Sequence, residues 1–279
     1  MKNRLIAFVL TVCMLCFTAC SAKSPEDNSD AQNATGTNTT NTNTSLFTPV
    51  YSTEDYFETR YYYDDVTKSS VHYLFHQPLR HSDEPVPLVI FLHGKGDSVT
   101  AASPGTASPI IYSLMTLENE SRKYSAYTLV PSTPLAHEGD WNRGQVLAFK
   151  KLLRDIIEQY NIDADRIYLS GISMGGFMTC QLVSEMPDTF AAAVPLSGAQ
   201  NLLSPLNLHR TAFRIYHVAT DPVVDVSYSR SLHQQLLNAN HPNVEYIEYP
   251  DGSHISPLYT VFESGREEFF DWLFSQRLS

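Results

Sequence analysis

Short apolar segments alternate along the chain with longer segments whose apolar residues recur every three or four positions. Five short segments are continuous and indicate strands buried on both faces: PLVIFLH (87–93), AYTLV (126–130), RIYLS (166–170), AAAVPL (191–196) and FRIYHV (213–218). VEYIEY (244–249) closes the series, and Tyr61–Tyr63 with Val71–Phe75 indicate an opening antiparallel pair. Strands that alternate with helices are typical of a mostly parallel sheet with helices on both faces. The pattern therefore predicts an α/β fold.

Three predicted helices each have one apolar face with helical spacing. The face of the first consists of Val146, Phe149, Leu153, Ile156, Ile157 and Tyr160. The face of the second consists of Tyr228, Leu232 and Leu236, and that of the final helix of Phe262, Phe269, Phe270, Leu273 and Phe274. We expect these faces to pack on the sheet.

The first 20 residues have the pattern of an export signal. A short basic start precedes an almost unbroken apolar run from Leu5 to Phe17, which is too short to span a bilayer as a permanent helix. The small residues before Cys20 resemble a bacterial lipobox, although Phe17 stands where leucine is usual. We interpret residues 1–20 as a lipoprotein signal peptide that ends at the lipidation site Cys20. The alternative is an ordinary secretory signal, and either interpretation predicts an exported protein, anchored at the cell envelope or secreted.

Residues 21–45 are rich in threonine and asparagine and contain no large apolar residue. Such a segment cannot bury enough surface to offset the entropy of ordering, so it is predicted to be a disordered tether. Residues 46–279 have a size that suits one catalytic α/β domain, and we expect no second folded domain.

Charge limits the partners of the mature chain. Loss of residues 1–19 removes Lys2 and Arg4 and no acidic residue, which leaves 17 basic and 30 acidic residues and a net charge of −13. This balance disfavours nucleic acid and anionic surfaces as partners. Membrane contact is therefore expected only through the lipid anchor.

Cysteine and histidine usage restricts the chemistry. Cys180 is the only thiol expected to remain free after signal removal and lipidation, so no intrachain disulfide is predicted. Its position in the helix after the glycine-rich motif described next favours a core residue over a second nucleophile. The ten histidines show neither HExxH nor clustered spacing, so no metal site is predicted.

One glycine-rich motif follows a predicted strand and precedes a segment of helical character. Gly171-Ile172-Ser173-Met174-Gly175-Gly176 comes directly after RIYLS, and FMTCQLVSEM (177–186) follows it. A nucleophile elbow requires this context, because its serine lies on a tight strand-to-helix turn and its glycines let backbones pass closely. The context favours Ser173 as a nucleophile over a serine in an ordinary glycine-rich turn.

A serine nucleophile needs a base, and the base needs a third group that fixes its tautomer. His254 lies just beyond the last predicted strand, in the turn-rich segment PDGSHISP (250–257), where no other histidine after Ser173 is placed. Asp221 and Asp225 both follow the strand FRIYHV. A helix N-cap is a sufficient explanation for Asp225, so Asp221 is the preferred acid and Asp225 the alternative.

The acyl-transfer chemistry of such a serine also requires donors for an oxyanion. The segment HGKGD (93–97) follows a strand, and its glycines let the chain fold back toward Ser173. The backbone N–H groups of Lys95 and Met174 are the predicted pair. His93 is expected to brace this loop, and Asp97 to accept hydrogen bonds from backbone donors there.

Two further residues are candidates for a substrate pocket. His137 and Trp141 lie in LAHEGDWN (135–142), which follows a predicted strand. Loop packing for Trp141 and solvation for His137 explain these residues equally well.

Several segments together resemble the bacterial carboxylesterase branch of the α/β-hydrolases, which includes feruloyl esterases, polyhydroxybutyrate depolymerase-like proteins and phospholipase/carboxylesterase and thioesterase relatives. The resemblance covers about residues 85–277 and is carried by FLHGKGDS (91–98), DADRIYLSGISMGGF (163–177), AAAVPLSGA (191–199), ATDPVVDV (219–226), YPDGSH (249–254) and DWLFSQR (271–277). It implies the α/β-hydrolase fold with a mostly parallel, eight-stranded sheet. It also implies an acyl-enzyme mechanism through Ser173, Asp221 and His254, and no cofactor.

Two residues depart from the pattern of this family. Val218 stands where glycine is usual, and Asp225 stands where proline is usual. The second departure puts a rival carboxylate close to the site, so the identity of the acid stays open.

The predicted surroundings of the site bear on its substrate. Only residues 197–212 separate two predicted strands at the usual position of a lid, so little or no lid is expected. An open cleft suits esters of bulky or polymeric alcohols, so we expect acyl or feruloyl esters on polysaccharide, or short-chain esters. The alternatives are a thioesterase, a serine peptidase, whose relatives normally carry a propeller domain that is not expected here, and a non-catalytic surface-binding protein.

Overall fold

The computed structural model describes residues 53–97, 99–101, 103–132 and 141–278. The predicted signal peptide with Cys20, the predicted tether (21–45) and His137 lie outside these residues. Within the described part of the chain, no helix has both the length and the apolar character needed to cross a membrane.

The strands of the described residues form one sheet. They are β1 (Glu58–Asp64), β2 (Ser69–His76), β3 (Val86–Leu92), β4 (Tyr127–Ser132), β5 (Ile162–Ile172), β6 (Ala192–Leu196), β7 (Ala212–Val218) and β8 (Val244–Tyr249). Their order across the sheet is β1-β2-β4-β3-β5-β6-β7-β8. The β1–β2 and β2–β4 pairs are antiparallel and the other pairs are parallel. The predicted mostly parallel, eight-stranded sheet is confirmed, as is the opening antiparallel pair.

Helices connect the strands and cover the sheet. They are α1 (Thr53–Tyr56), α2 (Ser108–Glu120), α3 (Arg143–Gln159), α4 (Met174–Glu185), α5 (Ser227–Asn238), α6 (Ser256–Tyr259) and α7 (Arg266–Ser275). Single 3₁₀ turns lie at Gly105–Ala107, Arg122–Tyr124 and Pro205–Leu208, and a wider π turn lies at Thr260–Ser264.

Alternate residues of β3 point into two separate apolar cores. Val89 and Phe91 pack in a core to which α2 and α7 contribute. Leu88, Ile90 and Leu92 pack in a second core to which α3, α4 and α5 contribute. Successive side chains of a strand point to opposite faces, so a strand covered on both faces must be apolar throughout. This geometry explains the continuous apolar segments of the sequence.

The first predicted helix is confirmed as α3, and its start is fixed by a capping box. The side-chain oxygen of Asn142 accepts a hydrogen bond from the Gln145 N–H at 3.0 Å, and the Gln145 side chain accepts the Asn142 N–H at 3.0 Å. Phe149 and Leu153, on the predicted apolar face, are fully buried.

Three elements differ from the prediction. The predicted final helix is interrupted, because the Gly265 N–H bonds to the Thr260 carbonyl five residues back at 2.9 Å and α7 begins only afterwards. Tyr228 lies on α5 but is 51% exposed, so it does not belong to the buried face formed by Leu232 and Leu236. Finally, α2 has no counterpart among the predicted helices.

Candidate active site

Ser173 joins β5 to α4 with no intervening loop. β5 ends at Ile172, α4 begins at Met174, and Ser173 has a φ of 56° and a ψ of −117°. A positive φ is rare for a residue with a Cβ and costs about 1–3 kcal/mol. The Ser173 N–H donates to the Leu196 carbonyl of β6 at 2.8 Å, which holds this turn against the neighbouring strand. The predicted strand–turn–helix geometry is therefore present.

Glycines allow other backbone segments to approach this turn. A Cβ on Gly198 would lie 2.2 Å from the Ser173 carbonyl oxygen, and a Cβ on Gly175 would lie 2.1 Å from the Leu92 carbonyl oxygen. Neither position can hold a larger residue unless the backbone moves. The strained conformation of Ser173 is thus held by close contacts with segments that follow β3 and β6.

Asp221 and His254 lie on the loops that follow the adjacent strands β7 and β8. The Asp221 Oδ2 atom is 2.7 Å from His254 Nδ1. The Asp221 side chain is fully buried, and its Oδ1 accepts the N–H groups of Val223 at 2.8 Å and Val224 at 3.1 Å. Burial raises the pKa of this carboxyl, but the hydrogen bonds from His254 and the two backbone N–H groups outweigh that effect and hold the pKa below its ordinary value.

These contacts define the proton positions on His254. An ionised carboxylate only accepts hydrogen bonds, so Nδ1 of His254 carries a proton, and Nε2 presents a lone pair whenever the ring is neutral. Nε2 is buried and has no hydrogen-bond partner among the described residues, so it is not bonded to Ser173. Ser173, Asp221 and His254 all follow the carboxyl ends of parallel strands and therefore share one edge of the sheet. Catalytic hydrogen bonds are often incomplete without substrate and tighten when it binds.

Asp225, the alternative acid, has a different environment. It is exposed, and its Oδ1 accepts the N–H of Ser227, the first residue of α5, at 2.8 Å. No hydrogen bond joins it to His254 within the described residues. Of the two candidate acids, the structure brings only Asp221 to His254.

The loop of residues 93–97 lies beside Ser173. A Cβ on Gly94 would be 3.9 Å from the Ser173 Cβ, which is ordinary contact. The Gly94 N–H donates to the Thr106 hydroxyl at 3.2 Å, and Asp97 Oδ2 accepts the Thr106 N–H at 3.0 Å. The expectation that Asp97 accepts backbone hydrogen bonds is confirmed, and its partner is Thr106.

His93 also braces this loop, as predicted. It is fully buried, and its Nδ1–H donates to the Gly94 carbonyl at 2.7 Å. Burial lowers the pKa of His93. A neutral His93 is thus part of the support beneath the loop.

The predicted oxyanion donors belong to the residue after Ser173 and to the loop of residues 93–97. Met174 is the first residue of α4, so its N–H has no acceptor within that helix. Lys95 follows Gly94 in the loop beside Ser173, and its side chain is exposed. The assignment of these two N–H groups to an oxyanion hole stays a prediction.

Of the two candidate pocket residues, only Trp141 is described. Its ring lies 6.3 Å from the His93 ring and 5.6 Å from the Phe149 ring, measured between centroids. Its Nε1 is buried and has no hydrogen-bond partner among the described residues. Trp141 therefore packs beside the loop of residues 93–97, while a role in substrate binding stays a prediction.

Cys180 is a core residue, as the sequence favoured. It is buried in the core beneath α4, and burial raises the pKa of its thiol to about 12. Such a thiol is un-ionised at neutral pH and is a poor nucleophile. Among the described residues, no group of three or more His, Cys, Asp or Glu side chains is arranged to hold a metal ion.

Sequence reasoning missed one residue of the site. His217 was predicted only as part of the strand FRIYHV (213–218), and it does lie in β7. Its Nε2 also lies 3.3 Å from the Asp221 oxygen that contacts His254, and this contact was not predicted. The sequence signal that could have indicated this contact is the separation of only four residues between His217 and Asp221 at the end of a predicted strand.

Comparison with known proteins identifies the family. Residues 111–263, more than half of the chain, match the profile of the phospholipase/carboxylesterase family. The chain belongs to the phospholipase/carboxylesterase family. The resemblance that the sequence motifs carried is therefore confirmed.

Two relatives within this group of hydrolases are similar over part of their length. Poly(3-hydroxyalkanoate) depolymerase C of Paucimonas lemoignei is 31% identical over 40% of this chain and 28% of its own length. Feruloyl esterase B of Neurospora crassa is 30% identical over 40% of this chain and 38% of its own length. The phospholipase/carboxylesterase chain thus matches less than two fifths of each relative.

Solved structures share the fold of this phospholipase/carboxylesterase chain. A thermostable esterase superimposes with a TM-score of 0.69 and 28% identity, covering 80% of this chain and 64% of the esterase. A ferulic acid esterase superimposes with a TM-score of 0.60 and 16% identity, covering 78% and 96%. The second likeness, at this identity, concerns the fold alone.

Gly198→Ala tests whether close backbone contact holds the Ser173 turn. We expect this substitution to lower the free energy of unfolding by about 3 kcal/mol, because the new Cβ overlaps the Ser173 carbonyl. Gly94→Ala is the matched control, since its Cβ meets only ordinary contacts. Urea denaturation of both variants measures the difference, and equal stability would contradict the close-packed turn.

Proposed function

We propose that this protein is a serine carboxylesterase with Ser173 as nucleophile, His254 as base and Asp221 as acid. The observation that carries this proposal is the partly buried 2.7 Å contact between Asp221 and His254, at the sheet edge where Ser173 adopts its strained turn. Family membership supports a carboxylesterase-type hydrolase. The roles of the three residues are our assignment.

The proposed reaction has two half-steps. His254 Nε2 takes the Ser173 hydroxyl proton as Oγ attacks the ester carbonyl carbon, and Asp221 stabilises the imidazolium that forms. The N–H groups of Lys95 and Met174 bind the oxyanion. His254 then protonates the departing alcohol, which leaves an acyl group on Ser173. Water, deprotonated by His254, attacks the acyl carbon; the bond to Ser173 Oγ then breaks, His254 returns the proton to Oγ, and the carboxylic acid leaves.

The connection that follows β6 supports an open site. Residues 197–211 link β6 to β7 and contain a single 3₁₀ turn, Pro205–Leu208, where a larger insertion would form a lid. An open site admits esters of bulky or polymeric alcohols. Acetylxylan esterase A of Emericella nidulans is 34% identical over 23% of this chain and 20% of its own length. We propose acyl or feruloyl esters on polysaccharide, or short-chain esters, as substrates.

An aromatic pair beside the nucleophile favours an apolar or aromatic acyl group. Phe177 lies one helical turn after Ser173, and side chains on a helix lean toward its N-terminus. Its ring meets the Tyr228 ring edge to face, with centroids 5.4 Å apart. Tyr228 is 51% exposed, and Val223, two residues after Asp221, is 67% exposed. These surfaces could contact a feruloyl ring without a lid.

A thioesterase is the second candidate. Acyl-protein thioesterase 1 of Debaryomyces hansenii is 24% identical over 38% of this chain and 48% of its own length. The same three residues would attack a thioester by the same steps. A peptidase has weaker support, because the acylaminoacyl peptidase of Pyrococcus horikoshii is 14% identical with a TM-score of 0.58 and so shares only the fold.

We further propose that the protein is exported and anchored through Cys20, with residues 21–45 as a tether. The basic start, the apolar run and the small residues before Cys20 support this location. Such an arrangement would hold the catalytic domain beyond the membrane surface. Secretion after cleavage at another position is the alternative.

Substitutions in the proposed triad test the mechanism. Ser173→Ala and His254→Ala should each lower kcat/KM for p-nitrophenyl acetate by at least about 10³-fold, because each removes a group that acts as one unit with the others. Circular dichroism checks that both variants are folded. Hydrolysis by folded Ser173→Ala at the wild-type rate would refute the serine mechanism. If both proteins were as slow as uncatalysed hydrolysis, a non-catalytic surface-binding protein would be the remaining interpretation.

The acid is tested by a matched pair. Asp221→Asn should lower kcat by about 10⁴-fold, since the amide cannot hold His254 in the tautomer that accepts the serine proton. Asp225→Asn should stay within about twofold, because that exposed side chain bonds to Ser227 at the start of α5 and not to His254. The reverse result would move the acid to Asp225.

A substrate panel separates the candidate activities. We expect kcat/KM to be highest for acetyl or feruloyl esters, lower for a thioester of the same acyl group, and lowest for a peptide substrate. Ser173→Ala, measured in parallel, supplies the background for each compound. A higher kcat/KM for the thioester would favour the thioesterase. A higher kcat/KM for the peptide would contradict both the carboxylesterase and the thioesterase proposals.

The location is tested with Cys20→Ser. Loss of the thiol removes the site of acylation, so the variant should leave the membrane fraction while wild-type protein stays in it. Cys180→Ser is the control, because that cysteine lies in the core of the folded domain. An unchanged distribution of Cys20→Ser would contradict the anchor.

A further inference from the structure

A second histidine contacts the proposed catalytic acid. His217 is the penultimate residue of β7, and both its side chain and that of Asp221 are fully buried. The His217 Nε2 lies 3.3 Å from Asp221 Oδ2, which is also 2.7 Å from His254 Nδ1. One carboxylate oxygen therefore lies between two imidazole rings.

The other contacts of His217 fix its protons. Its Nε2 is 3.0 Å from the Val224 carbonyl oxygen, which can only accept, so Nε2 carries hydrogen. Its Nδ1 is 2.6 Å from the Ser229 hydroxyl, which donates to the ring nitrogen when His217 is neutral. Burial lowers the pKa of His217 and so favours the neutral ring. His217 is thus a neutral ring whose Nε2–H donates to the Val224 carbonyl and lies 3.3 Å from the acid.

These bonds close the loop that carries the acid. We call residues 219–226 the acid loop; it leaves β7 just after His217. The Nε2–H of His217 donates to the Val224 carbonyl at 3.0 Å and lies 3.3 Å from Asp221 Oδ2, and the Val224 N–H returns to Asp221 Oδ1 at 3.1 Å. A single side chain on a rigid strand therefore fixes the acid and the turn around it.

The two carboxylate oxygens of Asp221 are held in different ways. Oδ1 has two backbone donors within the acid loop, Val223 and Val224. Oδ2 is contacted only by the side chains of His217 and His254 among the described residues. In the proposed reaction His254 changes its charge at each half-step. His217 is then the imidazole beside Oδ2 whose charge stays constant.

Other charged groups near His217 are engaged elsewhere. Asp225 lies on the acid loop, where it caps α5, and Glu248 lies on the neighbouring strand β8. Glu248 accepts two hydrogen bonds from Arg230, at 2.8 Å and 2.6 Å. Asp221 is thus the carboxylate that His217 contacts directly.

We propose that His217 is a positioning residue that holds the Asp221 carboxylate against His254. The inference rests on the proposed function, in which Asp221 is the acid, and adds a fourth side chain to the site. His217 does not reach the substrate. It acts through the orientation of Asp221 and the closed conformation of the acid loop.

Two substitutions separate the donor from the bulk of the ring. In His217→Gln the side-chain amide nitrogen reaches the position of Nε2 and can donate to Asp221. In His217→Asn the shorter amide reaches only the position of Nδ1, so that donor is lost. His241→Asn is the matched control: His241 is also buried and pairs both ring nitrogens, at 2.9 Å with the Leu208 carbonyl and at 3.2 Å with the Asn243 N–H.

Two readouts are measured on the mature chain. One is kcat and KM for p-nitrophenyl acetate, and the other is the pKa of His254 from NMR titration of ¹³C-labelled histidine. We expect His217→Asn to lower kcat about tenfold, the effect of removing one hydrogen bond to a charged group, with KM within about twofold. The pKa of His254 should fall, because a loosened Asp221 stabilises the imidazolium less. His217→Gln should recover most of both values, and His241→Asn should change neither.

Three results would overturn the proposal. They are a kcat for His217→Asn equal to that of His241→Asn, an equal loss in His217→Asn and His217→Gln, or a pKa of His254 that stays constant or rises. Failure of the proposed function is recognised separately, by wild-type protein that hydrolyses no ester faster than Ser173→Ala. In that case the NMR titration still reports whether His217 holds Asp221 against His254.

Discussion

The hydrogen bond between Asp221 and His254 is the interaction on which the proposed chemistry depends. A carboxylate that is fully buried is costly unless donors surround it, and Asp221 has two backbone N–H groups on one oxygen and two imidazoles near the other. Those donors keep it ionised, and an ionised Asp221 keeps the proton of His254 on Nδ1. In the proposed mechanism, the Nε2 lone pair makes His254 the base for Ser173. Without this one contact the same fold would present an ordinary loop histidine.

The fold supplies that contact through strand order and backbone strain. Residues that follow β5, β7 and β8 share one edge of the sheet, because parallel strands end at the same edge. Ser173 is held in its unfavourable turn by backbone contacts that only glycine permits, including Gly198. The energy cost of this turn is offset by the two apolar cores on either face of the sheet. Among the described residues, the short connection after β6 adds no large cover to the site, which is why we favour bulky ester substrates.

Much of this arrangement could be predicted from the sequence, for identifiable reasons. The central strands are buried on both faces, so they appear as continuous apolar runs, and the motif around Ser173 could be interpreted because it follows one of them. The choice between Asp221 and Asp225 could not be made from the sequence, since both follow β7 and they differ in the direction of their side chains. The contact between His217 and Asp221 could not be predicted for the same reason. Helix α2 was not predicted, because most of its residues are buried and it therefore lacks the one-sided apolar pattern that indicated α3.

The most direct test of the central claim is covalent labelling with a fluorophosphonate, followed by mass spectrometry of the modified peptide. A serine reacts with this reagent only when a neighbouring base removes its proton. The account predicts a single adduct on Ser173 in wild-type protein and greatly slowed labelling in folded His254→Ala. An adduct on another residue, or no adduct in protein that hydrolyses esters, would contradict it.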